Sequence, residues 1–177
     1  MKNTSEEAKR ILKDSYAIDA LFHGLFTDPP FDCAPGRTIV DILLEGGVND
    51  AWNNAKLGAL NGSFDPAFYS GDTIGTLEAM LDYLAKKRSD KRVAYVFPHG
   101  GLFGSSENWY KTYKPAILAA LKKWGVPCVD IAESTPPMGG RGISELGDKY
   151  TSDGTHPNAA GYERFYMESI AALLKRL

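Results

Sequence analysis

A chain of 177 residues can build one domain with a real core but is too short for two comfortable ones, and the whole of 1–177 is read as a single domain. Hydrophobic residues make up 44% and charged residues 24%, the balance of a soluble globular fold, and a net charge of −2 offers no basic face for nucleic acid or an anionic membrane. Two cysteines, Cys33 and Cys128, exclude a disulfide framework, and His23, His99 and His156 lie too far apart for a local zinc motif.

The first 37 residues read as a helical lead-in. Ser5 caps a helix with Glu6 and Glu7 in its first turn and Ile11 and Leu12 on its apolar face; a second stretch covers Tyr16 to Leu25. Asp28-Pro29-Pro30 ends it, and Ala34-Pro35-Gly36 marks another turn. Three apolar runs rich in β-branched residues then read as buried strands: Thr38 to Leu44, Arg92 to Phe97 and Val126 to Ile131, where Cys128 is a small core residue. Helical patterns separate them. One runs from Thr73, as its cap, to Lys87, with Leu77, Met80, Leu81 and Leu84 as its stripe; the other runs from Asn108 to Trp124. Lys86-Lys87-Arg88 complements the first helix's C-terminus, and a last helix covers Ala159 to Leu177. Strands alternating with helices imply a parallel sheet covered on both faces, with functional loops at the carboxyl ends of the strands. The N-terminus is polar and no apolar run approaches the ~18 residues of a membrane span, so no signal peptide or transmembrane helix is expected. The compartment stays open, cytoplasmic by default with a secreted parent as the alternative.

Three loops carry residues suited to chemistry. After the first run, Glu45-Gly46-Gly47 turns the chain so that Asn49 presents an amide able to donate to an oxyanion, while Asp50 caps the next helix; simple turn and cap roles are the competing account. After the second run, Pro98-His99-Gly100-Gly101-Leu102-Phe103-Gly104 lacks the Lys-Ser/Thr of a phosphate loop. It is either a pocket wall, with His99 and Phe103 facing substrate, or a plain surface loop. In Tyr150 to Tyr162, Asp153 precedes His156 by three residues, close enough for a carboxylate to fix an imidazole's tautomer and leave its other nitrogen as a base. A simple loop pair capping the last helix is the bland alternative.

Taken together, Gly47-Val48-Asn49-Asp50 and Asp153-Gly154-Thr155-His156, with Pro157, Asn158 and Gly161 downstream and Asp41 opening the strand before the first block, resemble the third and fifth blocks of the SGNH hydrolases, the GDSL-type esterases and lipases. The resemblance covers roughly Asp41 to the C-terminus. It implies a three-layer α/β/α sandwich with a parallel sheet, flavodoxin-like, here lacking its first strands. It implies ester hydrolysis through a serine acyl-enzyme, with His156 as base, Asp153 as its orienter and Asn49 as oxyanion donor, and with no metal or organic cofactor. Gly47, His99 and Trp52 are candidate substrate contacts, and the substrate is a small-molecule or carbohydrate ester.

The family's Gly-Asp-Ser block is not in the chain. The nearest imitation is Lys13-Asp14-Ser15, but Ser15 has no turn glycine and no room after it for a second strand, so it is a weak candidate and the nucleophile stays unknown; Ser105 and Ser106 fall in the wrong block and suit helix capping. Three accounts fit: a chain cut from a longer protein (the preferred one), a block supplied by another polypeptide, or a degenerate member that binds a ligand or carbohydrate without catalysis. Trp52, Phe103, Trp109 and Tyr110 would serve the last of these. A sheet without its first strands has an exposed edge, through which a homodimer would form.

Overall fold

In the computed structural model, residues 41–100, 106–134 and 145–177 are described. The helical lead-in, Ser15, Cys33, Phe103 and Ser105 lie outside them. Strands β1 (Asp41–Leu44), β2 (Arg92–Phe97) and β3 (Cys128–Asp130) stand side by side in that order and run parallel. Leu44 lies opposite Tyr95, and Tyr95 opposite Cys128. The third strand is shorter than its apolar run. Pro127 has no N–H to give a ladder, although its carbonyl accepts from the Tyr95 N–H at 2.9 Å. At the other end, Asp130 Oδ1 accepts from the Ala132 N–H at 3.0 Å, and Ile131 starts a short helix, Ile131–Ser134.

Parallel strands need long crossovers. From β1 the chain passes through α1 (Val48–Trp52) and α2 (Thr73–Lys87) to β2. The cap of α2 is Asp72, one residue before the expected Thr73: its Oδ1 accepts from the Gly75 N–H at 2.9 Å. Between β2 and β3 the helix is continuous but uneven. Ser106–Asn108 leads into a π-helical turn, Trp109–Tyr113, and then α3 (Lys114–Trp124). Pro115 has no N–H to return to the preceding turn, and the wide turn ends just before it. The C-terminal helix is uneven too: Ala159–Gly161, a π-helical Tyr162–Tyr166, then α4 (Met167–Leu174). No helix among the described residues is long and apolar enough to cross a membrane.

Side chains alternate across the sheet with period two. Leu44, Tyr95, Phe97 and Cys128 pack with α2 and α3, where Leu77, Leu81, Leu84, Ile117 and Leu121 are buried. Leu43, Ala94, Val96 and Val129 pack with Tyr166, Ile170, Leu173 and Leu174 of the C-terminal segment. The sheet is thus buried on both faces, an α/β sandwich of three layers, as its apolar runs predict. Glu78, 1% exposed, ties α2 to α3: it pairs with Lys123 and accepts from Trp124 Nε1 at 3.2 Å. With the helices fixed this way, the loops after β1 and β2 and the segment before α4 fall at the carboxyl end of the sheet.

Candidate functional site

The loop after β1 turns at Gly47, whose φ of 81° lies in the left-handed region. A Cβ there would stand 2.5 Å from Ile117 Cδ1 and 3.3 Å from Trp109 Cζ3, so the position is closed by packing as well as by backbone conformation. Tyr95 Oη donates to the Gly46 carbonyl at 2.7 Å and pins the loop to the end of β2. Gly47 is the residue before α1, and Asn49 sits exposed in its first turn. The Asn49 carbonyl accepts from the Asn53 N–H at 2.9 Å and from Asn53 Nδ2 at 2.8 Å, while its side-chain amide has no hydrogen-bond partner among the described residues. Asp50 is not the cap its position suggests. It lies inside α1, where Oδ1 accepts from Thr73 Oγ1 at 3.0 Å and fastens α1 to the start of α2. Trp52 closes α1 and is 43% exposed.

His99 follows β2 and is 1% exposed, so its ring belongs to the core and to neither a surface loop nor an open pocket wall. Tyr166 Oη accepts from the His99 N–H at 3.1 Å and lies 2.7 Å from His99 Nδ1. The hydroxyl is thus bound to both the backbone and the ring of His99, while His99 Nε2 is buried with no hydrogen-bond partner among the described residues. Burial holds the imidazole neutral, with a pKa lowered to about 4, and the charge of His156 pushes the same way.

The third loop builds itself. Thr151 Oγ1 donates to the Gly147 carbonyl at 2.5 Å and accepts from the Gly154 N–H at 2.8 Å. The Ser152 N–H closes the turn on the His156 carbonyl at 2.8 Å, and Thr151 bridges Pro157. Asn158 ends it: Oδ1 accepts from the Gly161 N–H at 2.9 Å, and Nδ2 donates to the Lys149 carbonyl at 2.9 Å and the Thr151 carbonyl at 3.3 Å. Gly161 passes so close to Tyr150 that a Cβ would meet its carbonyl oxygen at 2.1 Å.

Within this frame Asp153 Oδ1 accepts from the backbone N–H of both Thr155 (2.9 Å) and His156 (2.8 Å), and Oδ2 lies 2.6 Å from His156 Nδ1. The His156 N–H, the His156 imidazole and the Thr155 N–H together hold the Asp153 carboxyl well below the usual carboxylate range. Asp153 therefore stays ionised and holds the proton of His156 on Nδ1. Nε2, on a side chain 76% exposed, is left as an acceptor.

Glu45 is a group that the sequence pattern presents only as a turn residue. It is half-buried at the end of β1, and burial pushes its carboxyl up to about 7, against the pull of His156. It also lines a cavity of about 470 Å³ with Gly46, Gly47, Asp50 and Tyr95. Its signal was its place two residues beyond the buried Leu43, where an acid on an apolar run needs a reason. No group of three or more His, Cys, Asp or Glu among the described residues could hold a metal ion.

Residues 26–164 match the GDSL-like Lipase/Acylhydrolase family. No curated protein matches the chain. Among solved structures, a Lactobacillus plantarum protein from a structural genomics consortium is similar at 24% identity and a TM-score of 0.55, covering 78% of this chain and 65% of its own. A GDSL-like lipase from Bacteroides thetaiotaomicron is similar at 20% identity and a TM-score of 0.45, covering 78% and 61%. The first likeness is one of fold, and the chain spans less than two thirds of either protein's length.

Proposed function

Since the chain belongs to the GDSL-like lipase/acylhydrolase family, we propose that it works as a serine-type ester hydrolase in which His156 is the base, Asp153 its orienting carboxylate and Asn49 an oxyanion donor. The observation that carries this reading is the 2.6 Å contact between Asp153 and His156 Nδ1, with two backbone N–H groups fixing the carboxylate and Nε2 left open. A loop that merely capped a helix would have no use for an imidazole held in one tautomer.

The chemistry follows from those atoms. His156 Nε2 takes the proton of a serine hydroxyl as its oxygen bonds to the ester carbonyl carbon. The carbonyl oxygen becomes an oxyanion, towards which the unengaged Asn49 amide donates. The imidazolium is stabilised by Asp153 and returns its proton to the leaving alkoxide, which departs as the alcohol. Water then repeats the sequence on the acyl-enzyme and releases the acid. The nucleophilic serine itself is not assigned: the chain holds no Gly-Asp-Ser, and Ser15, which only imitates that block, lies outside the described residues.

Hydrolysis of p-nitrophenyl acetate by the full chain, beside His156→Ala, tests this. The variant is expected to lose about 10²–10⁴-fold in kcat/KM, the usual contribution of a general base. A fluorophosphonate should label one serine, identified by peptide mass. Equal rates in the two proteins, with no labelled serine, would mean that this chain alone holds only the Asn49, Asp153 and His156 part of the site, and would sink the reading of it as a hydrolase in its own right.

A further inference from the structure

We propose that Asn108 is a positioning residue for Asn49: from the crossover between β2 and β3 it grips the C-terminal end of α1 and so fixes where the amide proposed as the oxyanion donor stands. Its kinetic consequence rests on the hydrolase reading above; the placement of α1 by Asn108 does not.

Helix α1 has five residues, Val48–Trp52, little more than one turn. Helices shorter than about 12–15 residues are marginal on their own, because nucleation costs more than a first turn returns. The last carbonyls of such a helix also have no partner further along it. The position of α1, and of Asn49 in its first turn, is therefore set by what holds its two ends.

Two consecutive residues of the distant crossover do this. At the first end Trp109, 0% exposed, packs against Gly47, the residue before α1. At the other end Asn108 Nδ2 donates to the Ala51 carbonyl at 3.0 Å and to Asn54 Oδ1 at 3.1 Å. A side-chain amide has two N–H donors, and here each meets an acceptor. Ala51 is 2% exposed, inside α1, and Asn54 turns the chain away from it at a φ of 50°, in the left-handed region that Asn tolerates. Asn108 thus holds both the end of the helix and the residue that ends its course. Two other ties lie nearby, Asp50 to Thr73 Oγ1 and the Ala55 carbonyl to Tyr113 Oη, but neither reaches a carbonyl of α1.

The hold passes to Asn49 through a few bonds. The Asn49 carbonyl accepts from the N–H and from Nδ2 of Asn53, which lies between the two residues that Asn108 grips. Loosening that end lets a single turn tip about Gly47, and the Asn49 side chain moves with it. An oxyanion donor acts only within hydrogen-bond distance of the oxygen it stabilises, so a small displacement is felt in the rate of the chemical step before it is felt in substrate binding.

Aspartate tests this with little change of shape, since it sets oxygens, and no donor, against the Ala51 carbonyl and Asn54 Oδ1. In the full chain, Asn108→Asp is expected to lower kcat for p-nitrophenyl acetate about tenfold, part of the 10²–10³ that removal of an oxyanion donor costs, with KM little changed. Asn108→Gln, which keeps both donors on a longer arm, should recover part of the loss. In an Asn49→Ala background the same Asn108→Asp change should cost nothing further, because its route is already gone. An equal loss in both backgrounds, or full activity in Asn108→Asp, would overturn the proposal. A second arm needs no activity. The side-chain NH₂ signals of Asn49 in a ¹⁵N spectrum, identified by their absence from Asn49→Ala, should shift in Asn108→Asp. If that variant fails to fold, Asn54→Gly removes one acceptor, keeps the left-handed turn easy and should shift the same signals less. Unmoved Asn49 signals in a folded variant would also overturn it. A chain that hydrolyses no ester would instead defeat the hydrolase reading, and the NMR arm would decide the placement alone.

Discussion

The loop from Thr151 to Asn158 holds its shape with its own atoms, whereas the loop from Glu45 to Asn49 takes its shape from residues far along the chain. In the first, every fixing contact joins near neighbours: Thr151 to Gly154, Asp153 to Thr155 and His156, Asn158 to Gly161. In the second, Gly47 turns against Trp109 and Ile117, and Gly46 is pinned by Tyr95. The imidazole proposed as the base thus sits on a local device, and the amide proposed as the oxyanion donor on a tertiary one. A local device survives changes in the core; a tertiary one places its amide only as well as the helices beneath it are packed.

The largest structural effect is therefore expected at Gly47. Gly47→Ala adds left-handed strain and a Cβ against Ile117 Cδ1, for a loss of roughly 2–4 kcal/mol in unfolding free energy, read by urea titration. The two contributions separate in a cycle. Ile117→Val removes the colliding methyl, so the double variant should lose less than the sum of the single ones. Strict additivity would mean that the contact with Ile117 is irrelevant and only backbone strain matters.

This division explains what could be read from the chain. Asp153 and His156 are three residues apart, and a loop bounded by Gly154, Pro157 and Asn158 has few ways to separate them. Strands β1 and β2 were legible because Ile42, Leu43, Leu44 and Val93, Ala94, Val96 form apolar runs that only a doubly covered sheet can bury. What escaped depended on distant partners. Asp72 outcompeted Thr73 as cap because Thr73 is spent on Asp50, a pairing across 23 residues. His99 reads as a loop histidine until Tyr166, 67 residues on, is seen against it. The π-helical turns at Trp109–Tyr113 and Tyr162–Tyr166 leave no mark in a periodicity counted at 3.6 residues per turn.

A smaller loss is expected where the local device is opened. Asn158→Ala removes the cap of Gly161 and two donors to the Lys149 and Thr151 carbonyls, costing about 1–2 kcal/mol. Because the same atoms close the Thr151–Asn158 loop, this variant should also lose hydrolysis beyond its loss of stability, with folded protein still present. If it proves more destabilising than Gly47→Ala, the contrast between a local and a tertiary loop is wrong.

The smallest effect is a pH dependence. Asp153 is ionised in the unfolded chain above a pKa near the ordinary value of about 3.9. In the folded chain the two backbone N–H groups and His156 depress it. A depressed carboxyl binds fewer protons folded than unfolded, so its contribution is fully present above the unfolded pKa and is lost as pH falls towards the folded one. The thermal midpoint of the wild type should therefore fall between about pH 5 and pH 2 more steeply than that of Asp153→Asn, whose side chain cannot titrate. Asp153 is an exposed residue in a loop, so water screens most of what its charge could contribute, and the difference in slope will be modest. Parallel slopes would mean that the carboxylate is held by geometry alone, and that the pairing with His156 acts on the imidazole's tautomer without adding to the stability of the fold.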